Sequence, residues 1–390
     1  MTNFIAGNHI QLLRNGAEYF PALLLAIENA SHTIYLQTYI YEVDSVGIKI
    51  GEALKKAAQR GINVYVLLDG FGCKDMPKIY LQELQKHGVQ VMFYRPKISP
   101  WTFKKNRLRR LHRKVAVIDN DVGFVGGINI IDDNNVPHNM PPRIDYAVRI
   151  QGALLPSIIL SAQKLWLRIA LTHLQSIQSA QNKADINPGL STNMQHNYDM
   201  QAAFVLRDNV LHRRDIELAY LAAIRQSSSE VIIANAYFVP GRKFRTAIIA
   251  AARRGVKVTL LLQGRMEYWL MLATHAFYSQ FLKNNINIYE YRHGFMHSKV
   301  AVIDCQWATV GSSNIDPFSL LLAREANVVV LNQDFATELR ADIMQSIENG
   351  AIQIKHSDWL QSNKIKRFFS WLAYGFVRLF LGVIGISKEQ

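Results

Sequence analysis

Two histidines recur with matching neighbours at two places in the chain. His112 is followed by Lys114, and His297 is followed by Lys299 at the same spacing. Side chains two residues apart on a strand share a face, so each imidazole lies beside an ammonium group. The lysine is suited to neutralise the non-bridging oxygens of a phosphate diester, and the imidazole to attack phosphorus or move a proton. These residue types indicate chemistry on a phosphodiester.

Both motifs continue with further matching residues. Each adds an aspartate, a glycine and an asparagine at equal spacing: Asp119, Gly126 and Asn129 in the first copy, and Asp304, Gly311 and Asn314 in the second. The asparagine amides can donate hydrogen bonds to phosphate oxygens. The copies differ where Gly127 corresponds to Ser312, so only Ser312 can offer a hydroxyl to phosphate. Two complete copies are a far more specific signal than one.

The repetition extends over whole halves of the chain. The two histidines are 185 residues apart, and Ala58–Gly61 and Leu67–Gly70 return as Ala252–Gly255 and Leu261–Gly264. A period of this length indicates a duplicated domain and is too long for a solenoid unit. We therefore predict one half-domain over 1–174, a polar linker over 175–201, a second half-domain over 202–362 and a separate C-terminal segment over 363–390.

Apolar runs and helical periodicity alternate within each half. In the first half they predict strands at 33–39, 63–68, 89–94, 114–118, 122–125 and 144–150, with helices at 47–60 and 77–87. In the second half they predict strands at 231–236, 257–262, 287–291, 300–303, 308–310 and 326–331, with a helix at 242–254. Strands alternating with helices predict an α/β fold, in which each half is a mixed β-sheet flanked by helices.

Composition limits the partners and the cofactors. The formal charge of +14 and the pI of about 9.7 favour a polyanionic partner, either nucleic acid or an anionic membrane surface. The two cysteines, Cys73 and Cys305, form no CxxC pair, so we expect a reducing cytoplasm, no disulfide framework and no structural zinc. No cluster has metal-ligand spacing, and we expect no metal and no other cofactor. Met1–Asn15 has no apolar run typical of a signal peptide.

The repeated motif resembles the signature of the phospholipase D superfamily, HxKxxxxD followed by GSxN or GGxN. The resemblance implies that the halves pack with both motifs facing one shared active site. One histidine is then phosphorylated, while the other protonates the leaving alkoxide and deprotonates the incoming hydroxyl. Family resemblance favours His112 as the nucleophile and His297 as the acid, an order that the sequence does not establish. It also implies that the motif aspartates, Asp119 and Asp304, are structural.

Two carboxylates follow the motifs at matching strand starts. Asp145 and Glu325 look like the acids that orient the histidines in this superfamily. A catalytic histidine needs such a partner because it fixes the tautomer of the ring. The alternative interpretation is simple solvation of a strand end.

Three features favour a lipid substrate. Residues 364–386 form an apolar, aromatic run after a basic start, which is typical of an interfacial helix, with a core helix as the alternative. Residues 97–113 interleave basic residues with Trp101 and Phe103, which suits lipid headgroups but equally nucleic acid or a solvated loop. Val66–Gly72 and Trp307–Pro317 resemble the corresponding stretches of bacterial cardiolipin synthases.

The last resemblance implies a phosphatidyltransferase that makes cardiolipin by transferring a phosphatidyl group from a donor phospholipid to phosphatidylglycerol. Expected partners are anionic phospholipids and the membrane surface, without nucleic acid. The expected location is the cytoplasmic face of a bacterial cell membrane, as a peripheral protein. A phospholipase D that uses water as the acceptor and a nuclease with the same motifs are the alternatives. The sequence does not define the donor lipid or the oligomeric state.

Overall fold

One mixed sheet of fifteen strands connects both halves of the chain in the computed structural model. The structure describes residues 2–96, 109–137, 140–172, 198–208, 211–265, 269–317, 319, 323–361, 370 and 372–376. Helices cover both faces of the sheet, so the predicted α/β fold with two repeated halves is confirmed.

The first half contains seven strands and four helices among the described residues. The strands are β1 (Ile5–Arg14), β2 (Thr33–Thr38), β3 (Asn63–Asp69), β4 (Gln90–Tyr94), β5 (Lys114–Ile118), β6 (Val122–Gly126) and β7 (Tyr146–Gly152). The helices are α1 (Asn15–Glu28), α2 (Ser45–Gln59), α3 (Lys78–Lys86) and α4 (Leu155–Thr172).

The second half repeats this arrangement and extends it. Its strands are β8 (Met200–Arg207), β9 (Glu230–Asn235), β10 (Lys257–Gln263), β11 (Asn287–Tyr291), β12 (Lys299–Ile303), β13 (Trp307–Gly311), β14 (Glu325–Leu331) and β15 (Ala351–Ile354). The described helices are α5 (Asp215–Gln226), α6 (Arg242–Arg253), α7 (Trp269–His275), α8 (Tyr278–Leu282), α9 (Gln333–Gly350) and α10 (His356–Gln361).

Predicted strands and helices agree with the structure within about two residues at each end. The cap predicted after α2 is present, because Gly61 has a φ of 88°. Strands β1, β8 and β15 and helices α1, α4, α5, α7, α8, α9 and α10 were not predicted. Because β8 begins at Met200, the last two residues of the predicted linker belong to a strand. Residues 175–197 of that linker lie outside the described residues.

The strand order places equivalent strands symmetrically about the centre of the sheet. From the centre outward, the first half runs β1-β7-β6-β5-β2-β3-β4 and the second runs β8-β14-β13-β12-β9-β10-β11, with β15 added at the edge. The halves join where β1 pairs antiparallel with β8, with Ile5 opposite Ala202. The two predicted sheets are therefore joined edge to edge in one sheet.

A shared hydrophobic core holds the two halves together. Helices α4 and α9 bury Ile158, Trp166, Leu339 and Ile343 in one cluster that also contains strand residues of both halves. Two further clusters lie on the other side of the sheet, one under α1 and α2 and one under α5 and α6. Each half has a core of its own, and the cluster around α4 and α9 belongs to both.

The parallel strands bring the motifs to one edge of the sheet. Strands β2, β3 and β4 run parallel, and their carboxyl ends meet where β5 begins, with Gln37 opposite Val115. Strands β9, β10 and β11 repeat this parallel arrangement, and β12 begins at their carboxyl ends, with Asn235 opposite Lys299. Residues that precede β5 and β12 therefore lie at the carboxyl ends of the parallel strands, the usual place of a site in an open α/β sheet.

The motif aspartates lie at the opposite ends of β5 and β12. The Asp119 carboxylate accepts the backbone N–H groups of Ser31, His32 and Thr33 at 2.7–2.8 Å. Asp304 accepts those of Ser228, Ser229 and Glu230, each at 2.8 Å. These bonds fix the chain that leads into β2 and β9, which is the structural role that the resemblance implied.

We predict that Asp304→Asn lowers the free energy of unfolding by about 1–2 kcal/mol, since an amide nitrogen cannot accept these N–H groups. Burial alone would raise the pKa of Asp304, but the N–H groups of Glu230, Ser228 and Ser229 lower it to about 2. The carboxylate therefore stabilises the fold above the unfolded pKa of about 4, and this contribution is lost as the pH falls toward 2. Urea unfolding at pH 7 and pH 3 measures the difference.

Asp121→Asn, in the exposed β5–β6 turn, is the matched control. Equal stability of the two variants at pH 7 would contradict the assigned role.

Candidate active site

Each motif histidine is attached through its backbone to the other half of the chain. His112 donates its N–H to the carbonyl of Arg324 at 3.0 Å, and His297 donates to the carbonyl of Ile144 at 2.7 Å. Those carbonyls immediately precede Glu325 and Asp145 in the sequence. The same crossing bonds therefore bring each histidine next to a carboxylate of the opposite half.

The side chains pair in the same crossed manner. The Nδ1 atom of His112 lies 2.9 Å from Oε1 and 3.1 Å from Oε2 of Glu325, and Nδ1 of His297 lies 2.6 Å from Oδ2 of Asp145. Both carboxylates are buried, at 0% and 3% exposure. A carboxylate at Nδ1 holds the proton on that nitrogen, which leaves Nε2 of each ring for chemistry. The predicted orienting acids thus lie beside the histidines, each across the junction between the halves.

The two lysines are buried beneath the histidines. Lys114 donates to the carbonyl of His112 at 2.7 Å, and its Nζ lies 5.4 Å from the centre of the Tyr39 ring. Lys299 lies 3.3 Å from Oδ2 of Asp145 and 2.7 Å from Nδ1 of His297. Because Asp145 also bonds that nitrogen, Lys299, Asp145 and His297 form one coupled group of charges.

Burial and the concentration of positive charge make protonation of this site costly. Burial lowers the pKa of His112, and burial together with Lys299 lowers the pKa of His297 to about 3. Burial and the nearby Lys299 also lower the pKa of Lys114 to about 7. Both imidazoles are therefore neutral in the free protein near pH 7. A bound phosphate diester would supply negative charge, which favours the protonation of one of them.

Each motif asparagine is held in place through its side-chain carbonyl oxygen. Oδ1 of Asn129 accepts the N–H of Ile40 at 3.1 Å, and Oδ1 of Asn314 accepts the N–H of Tyr237 at 3.4 Å. These partners follow β2 and β9 at equivalent positions. An amide held by its oxygen has its NH₂ group available as a donor, which is the chemistry predicted for phosphate binding.

Ser312 is reassigned by the structure. Its hydroxyl is fully buried, donates to Oε2 of Glu325 at 2.5 Å and accepts the N–H of Ala326 at 3.0 Å. The hydroxyl therefore positions the carboxylate behind His112, and the predicted phosphate contact is corrected. At the equivalent position a Cβ on Gly127 would lie 2.3 Å from Oδ1 of Asp145, so glycine leaves room for that shorter acid.

A cavity of about 730 Å³ opens in front of both histidines. Its wall is mostly apolar: Tyr39, Ile40, Phe71, Ile128, Ile131, Val136, Pro137, Ala236, Tyr237, Phe295 and Met296. Asn129 and a few other polar residues interrupt this wall. Within the part of the chain that the structure describes, no three His, Cys, Asp or Glu side chains are grouped so as to hold a metal ion.

Two residues that position His112 were not predicted from the sequence. Asp69, at the end of β3, accepts the N–H of Leu111 at 2.7 Å and so fixes the residue before His112. Tyr39 packs its ring 4.8 Å from that of His112. Asp69 lies in one of the repeated segments, but its counterpart there is Gln263, so the repeat alone does not identify it as part of the site.

Comparison with known proteins agrees with this geometry. The family model for the cardiolipin synthase, PLD-like domain matches residues 23–140 and 220–347, one segment in each half. Cardiolipin synthase B of Salmonella typhi is 39% identical over 97% of this chain and 90% of its own length. The Escherichia coli K12 protein of that name is 37% identical with the same coverage. The chain belongs to the family of phospholipase D-like cardiolipin synthases.

One solved structure resembles this chain over nearly its whole length. The crystal structure of phosphatidylserine synthase from Haemophilus influenzae covers 99% of this chain and 97% of its own, with a TM-score of 0.70 at 15% identity. At that identity the likeness concerns the fold alone.

We predict that Lys114→Met removes activity and raises the free energy of unfolding by a few kcal/mol at pH 6. The pKa of Lys114 falls from 10.5 in the unfolded chain to about 7 in the fold. Its charge therefore destabilises the fold fully below pH 7, less as the pH rises, and not at all above about pH 10.5. Denaturant unfolding at pH 6 and pH 9 should show a larger gain for the variant at pH 6.

The matched control is Lys283→Met on the exposed surface, which should change neither quantity. A Lys114→Met protein less stable than wild type at both pH values would contradict the electrostatic interpretation.

Proposed function

We propose that the chain is a phospholipase D-type phosphatidyltransferase that makes cardiolipin, moving a phosphatidyl group from a donor phospholipid to phosphatidylglycerol. The observation that carries the proposal is the pair of histidines that face one cavity, each oriented by a carboxylate of the other half. The cardiolipin synthases B to which the chain is similar over nearly its full length support the choice of substrate. The largely apolar cavity wall favours a lipid diester over a nucleic acid.

In the first step, Nε2 of His112 attacks the phosphorus of the donor lipid. The P–N bond forms as the P–O bond to the headgroup breaks, and a protonated His297 gives its proton to the leaving alkoxide. Lys114, Lys299 and the two motif asparagines stabilise the charge on the non-bridging oxygens. The donor headgroup leaves as a neutral alcohol, and the phosphatidyl group stays on His112.

In the second step, a hydroxyl of phosphatidylglycerol attacks the same phosphorus. Neutral His297 takes the proton of that hydroxyl, the new P–O bond forms, and the P–N bond to His112 breaks. This returns both imidazoles to their starting states. Glu325 and Asp145 keep the ring nitrogens in the same tautomers throughout.

The C-terminal segment supports a peripheral position on a membrane. The predicted segment 363–390 lies largely outside the described residues, which here are 370 and 372–376. Ala373 and Tyr374 pack on the core of the second half, where Arg245 bonds the Tyr374 hydroxyl at 3.2 Å. Leu372 and Phe376, next to them, are 57% and 58% exposed. None of the described helices is both long and apolar enough to span a bilayer.

These contacts agree in part with each of the two interpretations that the sequence left open, an interfacial helix and a core helix. One face is attached to the protein, and large apolar side chains project from the other. We propose that this exposed face enters the interface of an anionic bilayer on the cytoplasmic side, assisted by the basic residues Lys364, Lys366 and Arg367.

The function is tested by product analysis on liposomes that contain phosphatidylglycerol, with single-stranded DNA as the alternative substrate. Wild type should form cardiolipin, and His112→Ala and His297→Ala should each lower turnover by at least about 10²-fold. A brief reaction with labelled donor should leave acid-labile, base-stable label on His112.

Cleavage of DNA without cardiolipin formation would sink the proposal. More than about a tenth of wild-type turnover in either histidine variant would contradict the shared site. Label on His297 would exchange the two roles.

We further predict that Leu372→Glu/Phe376→Glu weakens liposome binding about tenfold or more, because each apolar side chain buried at the interface contributes roughly 1–2 kcal/mol. Sedimentation with phosphatidylglycerol vesicles measures the binding, and hydrolysis of a short-chain diester checks that the site is intact. Leu211→Glu/Leu218→Glu, at exposed leucines of the same half, is the matched control. Equal binding by the two double variants would contradict the proposed orientation.

A further inference from the structure

The cavity is asymmetric although the chain is repeated. The loop between β6 and β7 supplies Ile131, Asp133, Asn135, Val136, Pro137 and Arg143 to its wall. The corresponding loop after β13 contributes none of its described residues. Among the described residues, one side of the cavity therefore carries polar groups of this loop that the equivalent loop does not match, and they have no role in the two catalytic steps.

Asp133 is a carboxylate in this wall with spare hydrogen-bonding capacity. It is 9% exposed, and Oδ2 accepts the N–H of Gly16, the only hydrogen bond that its carboxylate makes to the described residues. Burial raises the pKa of Asp133 to about 6, although the Gly16 N–H and the charge of Arg143 act against the rise. A buried carboxylate is costly unless its oxygens are paired, so Oδ1 is suited to accept a bond from a ligand.

Gln263 is a second residue of the cavity wall with an unpaired acceptor. It ends β10, and its Oε1 atom is buried without a hydrogen-bond partner among the described residues. Its counterpart in the repeat, Asp69, is fully engaged, since it accepts the N–H groups of Phe71, Gly72 and Leu111. Gln263 therefore does not perform the structural task of its counterpart. Because an unpaired buried acceptor destabilises a fold, a substrate that supplied a donor to Gln263 would remove this cost.

A positive charge lies in the same wall. Arg143 lines the cavity and is held from behind, because its backbone N–H bonds the carbonyl of Asp133 at 3.0 Å and its guanidinium donates to the carbonyl of Asn135 at 3.3 Å. The cavity thus combines two hydrogen-bond acceptors with a cation beyond the two motif lysines. That combination matches a headgroup that has hydroxyls and a phosphate.

We propose that Asp133, Gln263 and Arg143 form the subsite of the acceptor lipid. Asp133 and Gln263 accept hydrogen bonds from the hydroxyls of a glycerol headgroup, and Arg143 attracts the phosphate to which that headgroup is attached. The inference rests on the proposed phosphatidyl transfer and adds to it the selection of a polyol-bearing acceptor over water. Holding the diol in place makes the attack of one hydroxyl effectively intramolecular, whereas water gains nothing from these contacts.

The test measures the ratio of cardiolipin to phosphatidic acid formed on phosphatidylglycerol liposomes. Transfer to lipid gives the first product and hydrolysis gives the second, so the ratio does not depend on the overall rate. We expect Gln263→Met to lower the ratio about tenfold, with Asp133→Asn changing it in the same direction. Gln280→Met, an exposed glutamine of the same half, is the matched control and should keep the wild-type ratio.

A second measurement uses the wild-type protein alone, so it does not depend on the folding of variants. Glycerol and 1-propanol compete as soluble acceptors, and we expect glycerol to be preferred several-fold. A wild type that makes cardiolipin but shows no preference for glycerol would overturn the subsite, as would a Gln263→Met protein with an unchanged product ratio. A wild type that makes only phosphatidic acid would overturn both the subsite and the proposed transfer.

Discussion

The crossed pairing of histidine and carboxylate is the constraint on which the rest of the molecule depends. Glu325 is buried behind His112 and Asp145 behind His297, so each half completes the site of the other. If the halves separated, both acids would lose the histidines that they orient, although Glu325 would keep its bond from Ser312 of its own half. The backbone bonds from His112 to Arg324 and from His297 to Ile144 follow the same path. The bonds that align the catalytic groups are therefore also bonds that hold the two halves together.

The continuous sheet and the shared core supply the stiffness that this pairing requires. Strands β1 and β8 join the halves through backbone bonds, while α4 and α9 close a single apolar cluster over the junction. Burial and the repulsion from Lys299 both lower the pKa of Lys114, so holding two ammonium groups in this site destabilises the fold. The apolar packing around the junction offsets that repulsion. Part of the hydrophobic stabilisation of the fold thus offsets the cost of holding positive charge at the site where a phosphate binds.

The sequence predicted what is local and repeated. Strand alternation located β2 to β7 and β9 to β14 within about two residues, and the duplicated motif located the histidines and lysines. Strands β1, β8 and β15 were missed, and in β1 the apolar pattern is interrupted by Gly7 and by Asn8, a polar residue that is fully buried. The crossing was not predictable, since Asp145 and Glu325 hold equivalent positions whichever half they serve. Ser312 was misassigned because a hydroxyl suits a phosphate and a carboxylate equally well, and only its burial against Glu325 distinguishes them.

Gly127 and Ser312 show what a fused repeat can do that a symmetric pair of identical chains cannot. Two identical subunits related by a twofold axis must give both of their histidines the same surroundings. Here one imidazole faces a glutamate that accepts a hydrogen bond from the Ser312 hydroxyl, and the other faces an aspartate that has Gly127 at the equivalent position and Lys299 at 3.3 Å. Because the two halves are fused in one chain, positions 127 and 312 can carry different residues. A reaction that needs one neutral and one protonated imidazole can then assign each task permanently to one ring, and does not have to break the symmetry anew in every turnover.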